Sequence, residues 1–488
     1  MKRKTKQLEK RLTNASDYIE WREAALQLDQ LNGLDEWRSE RGSDDYDYRL
    51  IASRVKLIRK LRRLQDYDQL VFRLREELHG NLGNMANPVL YQTARVGTKT
   101  LINSYLDEVT GALHEMCESN VKTLPPDRKL RFFKRAARSF GRSALLLSGG
   151  ASLGLFHLGV IEELNAQHLL PRVITGSSAG AIIGGILATY TDDELETILA
   201  PGHLDYEWSS LLGVGEIMAG GGLLDPKLLR CSIDRNIRDL TFLKAYQKTG
   251  RILNVSISPA DTHQFPRLLN YLTAPNVLIR RAALASCAIP GLFPPVQLRA
   301  RNFEGKSVAY MPQSRWIDGS VHDDIPKEKV NRLHNVNHYI VSQTNPHVAP
   351  FLSEEEEQTG LLPFLQDVVI KAPMVQIEHL LELVQRHFDL PGLGSVIKKA
   401  HAVIRQTYSG DITIYPDHRL FSLKKVFANA GPDDAMQLIE EGRRACWPKI
   451  ERIRNTTQIS RAFDTCLRRL DERYRYVRRS DLKKPGAK

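Results

Sequence analysis

Two short apolar runs, each emptying into a glycine-bracketed turn and then a helix, do most to limit how this chain can fold. The first is Leu145-Leu146-Leu147, followed by Ser148-Gly149-Gly150-Ala151-Ser152-Leu153-Gly154 and the helix-like Leu155-Phe156-His157-Leu158-Gly159-Val160. The second is Val173-Ile174-Thr175, followed by Gly176-Ser177-Ser178-Ala179-Gly180 and a segment rich in small apolar residues. From Gly149 to Ser178 is 29 residues, the length of one βαβ unit. Such a unit brings both turns to the same carboxyl edge of a parallel sheet.

The rest of the chain falls into parts around this pair. From about Ser143 to Pro346, short β-branched or leucine-rich runs alternate with glycine loops and helical stretches, as in a parallel sheet wrapped by helices. From about Leu8 to Phe140 the pattern is helical. Ile51, Val55, Ile58 and Leu61 recur at three- and four-residue spacing, and that helix is expected to run on to about Leu78, before Gly80. After acidic Glu354 to Glu357, residues 361–388 are strongly apolar and helix-prone, a face for core packing or for lipid. The chain then turns helical and basic. The expected domains are residues 1–140, 141–350 and 351–488.

At the first turn, free backbone N–H groups and the positive end of a helix dipole point at one spot, which suits an anion. Two phosphate-binding patterns are not met: the dinucleotide fingerprint needs glycine where Ala151 stands, and the P-loop needs lysine where Leu155 stands. A structural glycine turn is the plain alternative. The second turn is a Gly-x-Ser-x-Gly sequence between strand and helix, where flanking glycines relieve crowding and a serine Oγ projects alone. Ser178 is the candidate nucleophile. A third piece, Arg315-Trp316-Ile317-Asp318-Gly319-Ser320-Val321, is a short apolar strand ending in an acid and a glycine. A carboxylate at such an edge can reach a serine hydroxyl, although an isolated Asp-Gly is a common turn.

Together these pieces resemble the patatin-like phospholipase family. Gly149-Gly150-x-x-x-Gly154 is similar to its glycine-rich oxyanion loop, Gly176-x-Ser178-x-Gly180 to its nucleophile elbow, and Asp318-Gly319 to its catalytic Asp-Gly. Leu78-His79-Gly80-Asn81-Leu82-Gly83-Asn84 resembles the helical N-terminal region of the sugar-dependent triacylglycerol lipase branch, and so does Asn87-Pro88-x-Leu90-Tyr91-x-x-Ala94-Arg95. Pro290-Gly291-Leu292-Phe293-Pro294-Pro295-Val296 matches that branch too. The resemblance covers roughly residues 10 to 345. It implies an α/β fold with a patatin-like, mostly parallel sheet wrapped by helices, an all-helical N-terminal domain and a helical C-terminal extension.

It also implies a serine lipid acyl hydrolase acting on carboxylic esters of acylglycerols or phospholipids. Ser178 and Asp318 would form a catalytic dyad with no histidine, working through an acyl-enzyme. Backbone N–H groups of Gly149, Gly150 and Ala151 would hold the oxyanion. Gly154, Gly176, Gly180 and Gly319 are the remaining motif glycines. No metal or organic cofactor is expected. Two departures stand out: Ser320 follows the Asp-Gly where Gly or Ala is common, and the branch's His-x-x-x-x-Asp acyltransferase signature is missing, so acyl transfer is not expected. A Ser-His-Asp triad using His322, His334 or His338 is the mechanistic rival. His157 reads as a packing residue. A non-catalytic lipid-binding or regulatory protein with the same shell is the functional rival.

Composition sets the surroundings. Of a net charge of +12, nearly all lies at the ends: residues 1–12 hold six basic side chains and one acid, residues 461–488 ten and four. A nearly neutral body with cationic ends is not the field of a nucleic-acid-binding domain. Solvated tails explain it, or contact with anionic membrane or lipid-droplet surfaces. Cys117, Cys231, Cys287, Cys446 and Cys466 are odd in number and widely spaced, which argues against a disulfide framework and for a reducing compartment. No run of about eighteen apolar residues occurs, and no apolar stretch follows the basic N-terminus. The expectation is a cytoplasmic protein, peripheral at the inner face of a membrane where it meets lipid.

Overall fold

The computed structural model describes residues 2–200, 202–205, 225–261, 265–320, 324–345, 409–416 and 431–481. The apolar segment 361–388, the triple glycine 220–222, where a hinged flap is one reading of residues 213–225, and His322 lie outside them. Two compact units emerge: Met1–Ser143 with Asn335–Asn337 and Trp447–Lys488, and Ala144–His334 with His338–Cys446.

The first unit is helical. In the helix Tyr48–Arg63, Asp47 accepts the Leu50 N–H at 2.9 Å, Ile51, Val55, Ile58 and Leu61 turn inward, and Lys60, Arg62 and Arg63 crowd the carbonyl end, where positive charge is favoured. This helix does not run on to Leu78. Gln65 takes a left-handed φ of 51°, and Asp66 caps a new helix, Tyr67–Glu77, by accepting the Gln69 N–H at 3.0 Å. A short acidic side chain that captures backbone N–H groups offers the chain an alternative to helix continuation, which apolar period alone does not reveal. The inward faces meet in one core that includes Ile51, Leu70, Leu113 and Phe133. The long helix Ile450–Asp481 adds Phe463, edge-on to Phe133 at 6.2 Å, together with Cys466 and Leu470. Both ends of the chain therefore build one hydrophobic core.

The second unit carries a sheet. Its strands, with those of a separate hairpin, are β1 (Arg142–Leu147), β2 (Val173–Gly176), β3 (Ile252–Pro259), β4 (Arg267–Leu269), β5 (Arg299–Arg301), β6 (Ser307–Ala309), β7 (Trp316–Asp318), β8 (Val336–Ser342) and β9 (Ile412–Ile414). The main sheet runs β4-β3-β2-β1-β8-β9, with β7 also on β3; β5 and β6 pair by themselves. β1, β2 and β3 are parallel, as are β8 and β9. β3 is buried along its whole length, as befits a central strand covered on both faces.

One detail of register positions the site. β2 pairs with β3 as far as Gly176 opposite Val255 and then leaves the sheet. β4 occupies the other edge of β3, with Arg267 opposite Ile257. β7, antiparallel, takes over the edge that β2 vacates and sets Asp318 opposite Ile257. Since a strand edge holds one partner at each residue, β7 ends where β2 turns away, two residues beyond Gly176. Asp318 and Ser178, far apart in sequence, are thereby brought end to end.

Candidate active site

The turn after β2 is a strained elbow. Ser178 has φ 50° and ψ −122°, a conformation that a side chain rarely adopts. Several contacts hold it there. The Ser177 N–H donates to the Leu147 carbonyl at 3.2 Å, and the Ser178 carbonyl accepts from Ala181 N–H at 2.8 Å as the helix Ala179–Thr189 begins. The Ser178 N–H donates to Ser286 Oγ at 3.0 Å, which donates in turn to the Ser256 carbonyl at 2.7 Å. Glycine is required on both sides because the backbones touch: a Cβ on Gly180 would lie 2.2 Å from the Leu147 oxygen, and one on Gly176 2.2 Å from the Gly180 oxygen.

Asp318 faces this elbow and is wholly buried. Its Oδ1 accepts the Ser320 N–H and the Ser320 hydroxyl, both at 2.8 Å. Its Oδ2 completes no hydrogen bond of regular geometry. Burial pushes the carboxyl up to about 6, while the Ser320 N–H, the Ser320 hydroxyl and the nearby Ser178 hydroxyl pull it back down. Ser320, at first sight a mere variation of the motif, thus fixes the carboxylate and leaves Oδ2 as the open acceptor. Gly319 follows, packed against the Ser256 carbonyl.

The glycine loop after β1 completes the site. Gly149 sits so close that a Cβ there would be 3.3 Å from Ser178 Cβ and 3.4 Å from Ser320 Cβ. Its N–H, however, donates to Asp324 Oδ1 at 2.9 Å. Of the three amides expected to face an oxyanion, those of Gly150 and Ala151 make no hydrogen bond among the described residues. Gly154 packs on Ala179, where the helices Leu155–Ala166 and Ala179–Thr189 both begin, their positive ends at the site.

The described histidines stand apart from this chemistry. His157 Nδ1 meets Ser342 Oγ at 2.7 Å and Nε2 meets the Ser148 carbonyl at 3.0 Å, and burial lowers its ring to about 4. It is a neutral anchor under the glycine loop. His334 Nε2 meets Asn254 Oδ1 at 2.7 Å, and His338 lies within β8. Among the described residues no histidine hydrogen-bonds Ser178 or Asp318.

Several neighbours lay outside the sequence motifs: Ser286, Asp324 and Cys287. The Cys287 thiol is buried beside Ser178 and Asp318, and burial together with the Asp318 charge pushes it well up, so it stays protonated. The only sequence signal for Ser286 and Cys287 is their place just before the Pro290-Gly291 block. Ser178 opens into a pocket walled by Leu155, Leu158, Ile182, Ile186, Leu229 and Phe293, with Asp205, Ser232 and Asn236 at a polar part of its wall. The apolar walls suit an acyl chain.

Known proteins resemble this chain over most of its length. Residues 145–329 match the family described as patatin-like phospholipase, and residues 1–138 match a domain of unknown function, DUF3336. Triacylglycerol lipase ptl3 of Schizosaccharomyces pombe is 35% identical across 94% of this chain and 96% of its own length. Triacylglycerol lipase 4 of Saccharomyces cerevisiae is 36% identical over 97% of this chain, and triacylglycerol lipase SDP1L of Arabidopsis thaliana 32% identical over 96%. The chain spans 54% and 59% of the length of these last two. With a mostly parallel sheet, a serine elbow and a helical unit before it, the chain belongs to the patatin-like phospholipase family.

Proposed function

We propose that the protein is a serine-dependent lipid acyl hydrolase that cleaves carboxylic esters of acylglycerols. The observation that carries this reading is the open Oδ2 of buried Asp318 beside the strained Ser178, which itself lines a largely apolar pocket. The names of the relatives, triacylglycerol lipases, support the substrate class.

In the mechanism, Ser178 Oγ attacks the ester carbonyl as its proton passes to Asp318 Oδ2. A carboxyl raised to about 6 is a stronger base than a solvated one and is still ionised at neutral pH. The Gly150 and Ala151 amides receive the oxyanion. Collapse breaks the ester C–O bond, and Asp318 returns its proton to the departing alcohol oxygen. Water then attacks the acyl-enzyme, giving its proton to Asp318, and the acid leaves as Ser178 regains a proton. The acyl chain lies along Ile182 and Ile186 throughout.

A fluorophosphonate probe tests the nucleophile directly. Wild type should be labelled and Ser178→Ala should not; folded wild type that takes no label would favour a non-catalytic lipid-binding protein. The exposed cationic helix Lys2–Thr13 supports a second element of the proposal, contact with anionic lipid surfaces. Binding to anionic vesicles, weaker on zwitterionic ones and lost at high salt, is the expected outcome; equal binding to both contradicts it.

A further inference from the structure

Asp324 belongs to none of the motifs, yet it reaches both arms of the site. Its carboxylate is buried. Oδ1 accepts the Gly149 N–H at 2.9 Å, Oδ2 accepts Asn345 Nδ2, and its backbone carbonyl accepts Ser177 Oγ at 3.1 Å. One residue therefore touches the oxyanion loop, the residue preceding the nucleophile, and the segment leaving β8. That segment holds the same loop from the other side. Thr344 Oγ1 donates to the Gly149 carbonyl at 3.0 Å, and the Thr344 N–H donates to Ser148 Oγ at 2.8 Å.

The two peptide units that flank the Gly149 Cα are thus each held, one by the Gly149 N–H and the next by the Gly149 C=O. Anchoring both planes restrains rotation about the Gly149 φ and ψ bonds, and because the Gly150 N–H shares its plane with the anchored Gly149 C=O, the direction of that amide is fixed. Preorganised donors are what make an oxyanion site effective, because no reorganisation is then needed during reaction.

Resting on the acyl-hydrolase reading, we propose that Asp324 is a positioning residue for the oxyanion loop. It removes the Gly149 amide from the donor set, locks the loop in register with the Ser177–Ser178 elbow, and leaves Gly150 and Ala151 to bind the oxyanion.

The test compares wild type with Asp324→Ala, Asp324→Asn and the exchange Asp324→Asn/Asn345→Asp in the full chain. Asparagine at 324 still accepts from Gly149 but opposes the Asn345 amide donor to donor; the exchange restores a donor–acceptor pair. On a soluble p-nitrophenyl ester, Asp324→Ala should lower kcat by roughly 10²- to 10³-fold while KM stays within about threefold. Asp324→Asn should fall between this and wild type, and the exchange should recover most of its loss. Hydrogen–deuterium exchange of the loop peptide around Gly149 should be faster in Asp324→Ala than in wild type. Unchanged kcat in Asp324→Ala, or an exchange variant no better than Asp324→Asn, overturns the proposal. Should Asp324→Ala fail to fold, Asp324→Asn and the exchange variant decide it by the same comparison. If wild type hydrolyses no ester, it is the acyl-hydrolase reading that fails. Amide exchange then decides the loop contact alone: protection lost without the carboxylate supports it, and protection unchanged overturns it.

Discussion

At the scale of single residues, the proposed hydrolysis turns on the protonation of Asp318. Only the ionised carboxylate can accept the Ser178 proton, so kcat/KM should fall about tenfold per pH unit below about 6 and level off above it. Ser320→Ala removes one of the donors that hold this carboxyl down, and should move the acid limb to higher pH; an unmoved limb contradicts the role given to Ser320. Stability follows with the opposite sign from most acids. The folded-state value of about 6 stands above the ordinary 3.8, so folding takes up a proton between the two, and stability drops as pH rises through that window. Asp318→Asn should therefore be more stable than wild type at pH 7, by about 3 kcal/mol, with the gain vanishing near pH 4 in thermal unfolding. Ser178, Asp318 and the glycines were legible because their chemistry demands fixed spacing beside strand ends. Asp324, Ser286 and Cys287 were not, since they act through contacts between segments that no local pattern encodes.

At the scale of elements, the elbow stores strain. Its φ of 50° costs a non-glycine residue about 1–3 kcal/mol, part of which glycine would relieve. Ser178→Gly should unfold at a higher temperature than Ser178→Ala, by roughly 1 kcal/mol, although both lack the nucleophile. Equal stabilities would mean the elbow is unstrained. Strand and turn textures disclosed β1, β2 and β7 as separate pieces, and the interval between the first two disclosed their parallel pairing. That β7 runs antiparallel along the edge of β3 vacated by β2 depends on register, which sequence pattern does not carry. The break at Gln65–Asp66 escaped for a different reason: the apolar period continues across it, and only the competing Asp66 cap ends the helix.

At the scale of the whole molecule, the ends of the chain matter more than composition suggests. Basic residues mark the last helix as a solvated tail, but its buried Ile459, Ala462, Phe463, Cys466 and Leu470 complete the core of the helical unit. Apolar side chains of this kind contribute roughly 1.5–3 kcal/mol each when buried, and together they rival the net stability of about 5–15 kcal/mol typical of a domain. Truncation after Cys446 should unfold the first unit, seen as lost helical signal and a lost thermal transition; a truncated chain that melts like the full one refutes this. The proposed chemistry makes Ser178 and Asp318 one catalytic pair on lipid esters. Its most direct test is hydrolysis of emulsified triacylglycerol at pH 8 by wild type, Ser178→Ala, Asp318→Asn and the double variant. Each single change should lower the rate at least roughly a thousandfold, and the double variant should be no worse than either, because the two groups work as a unit. Near wild-type hydrolysis by Asp318→Asn, in protein that is folded, would contradict it.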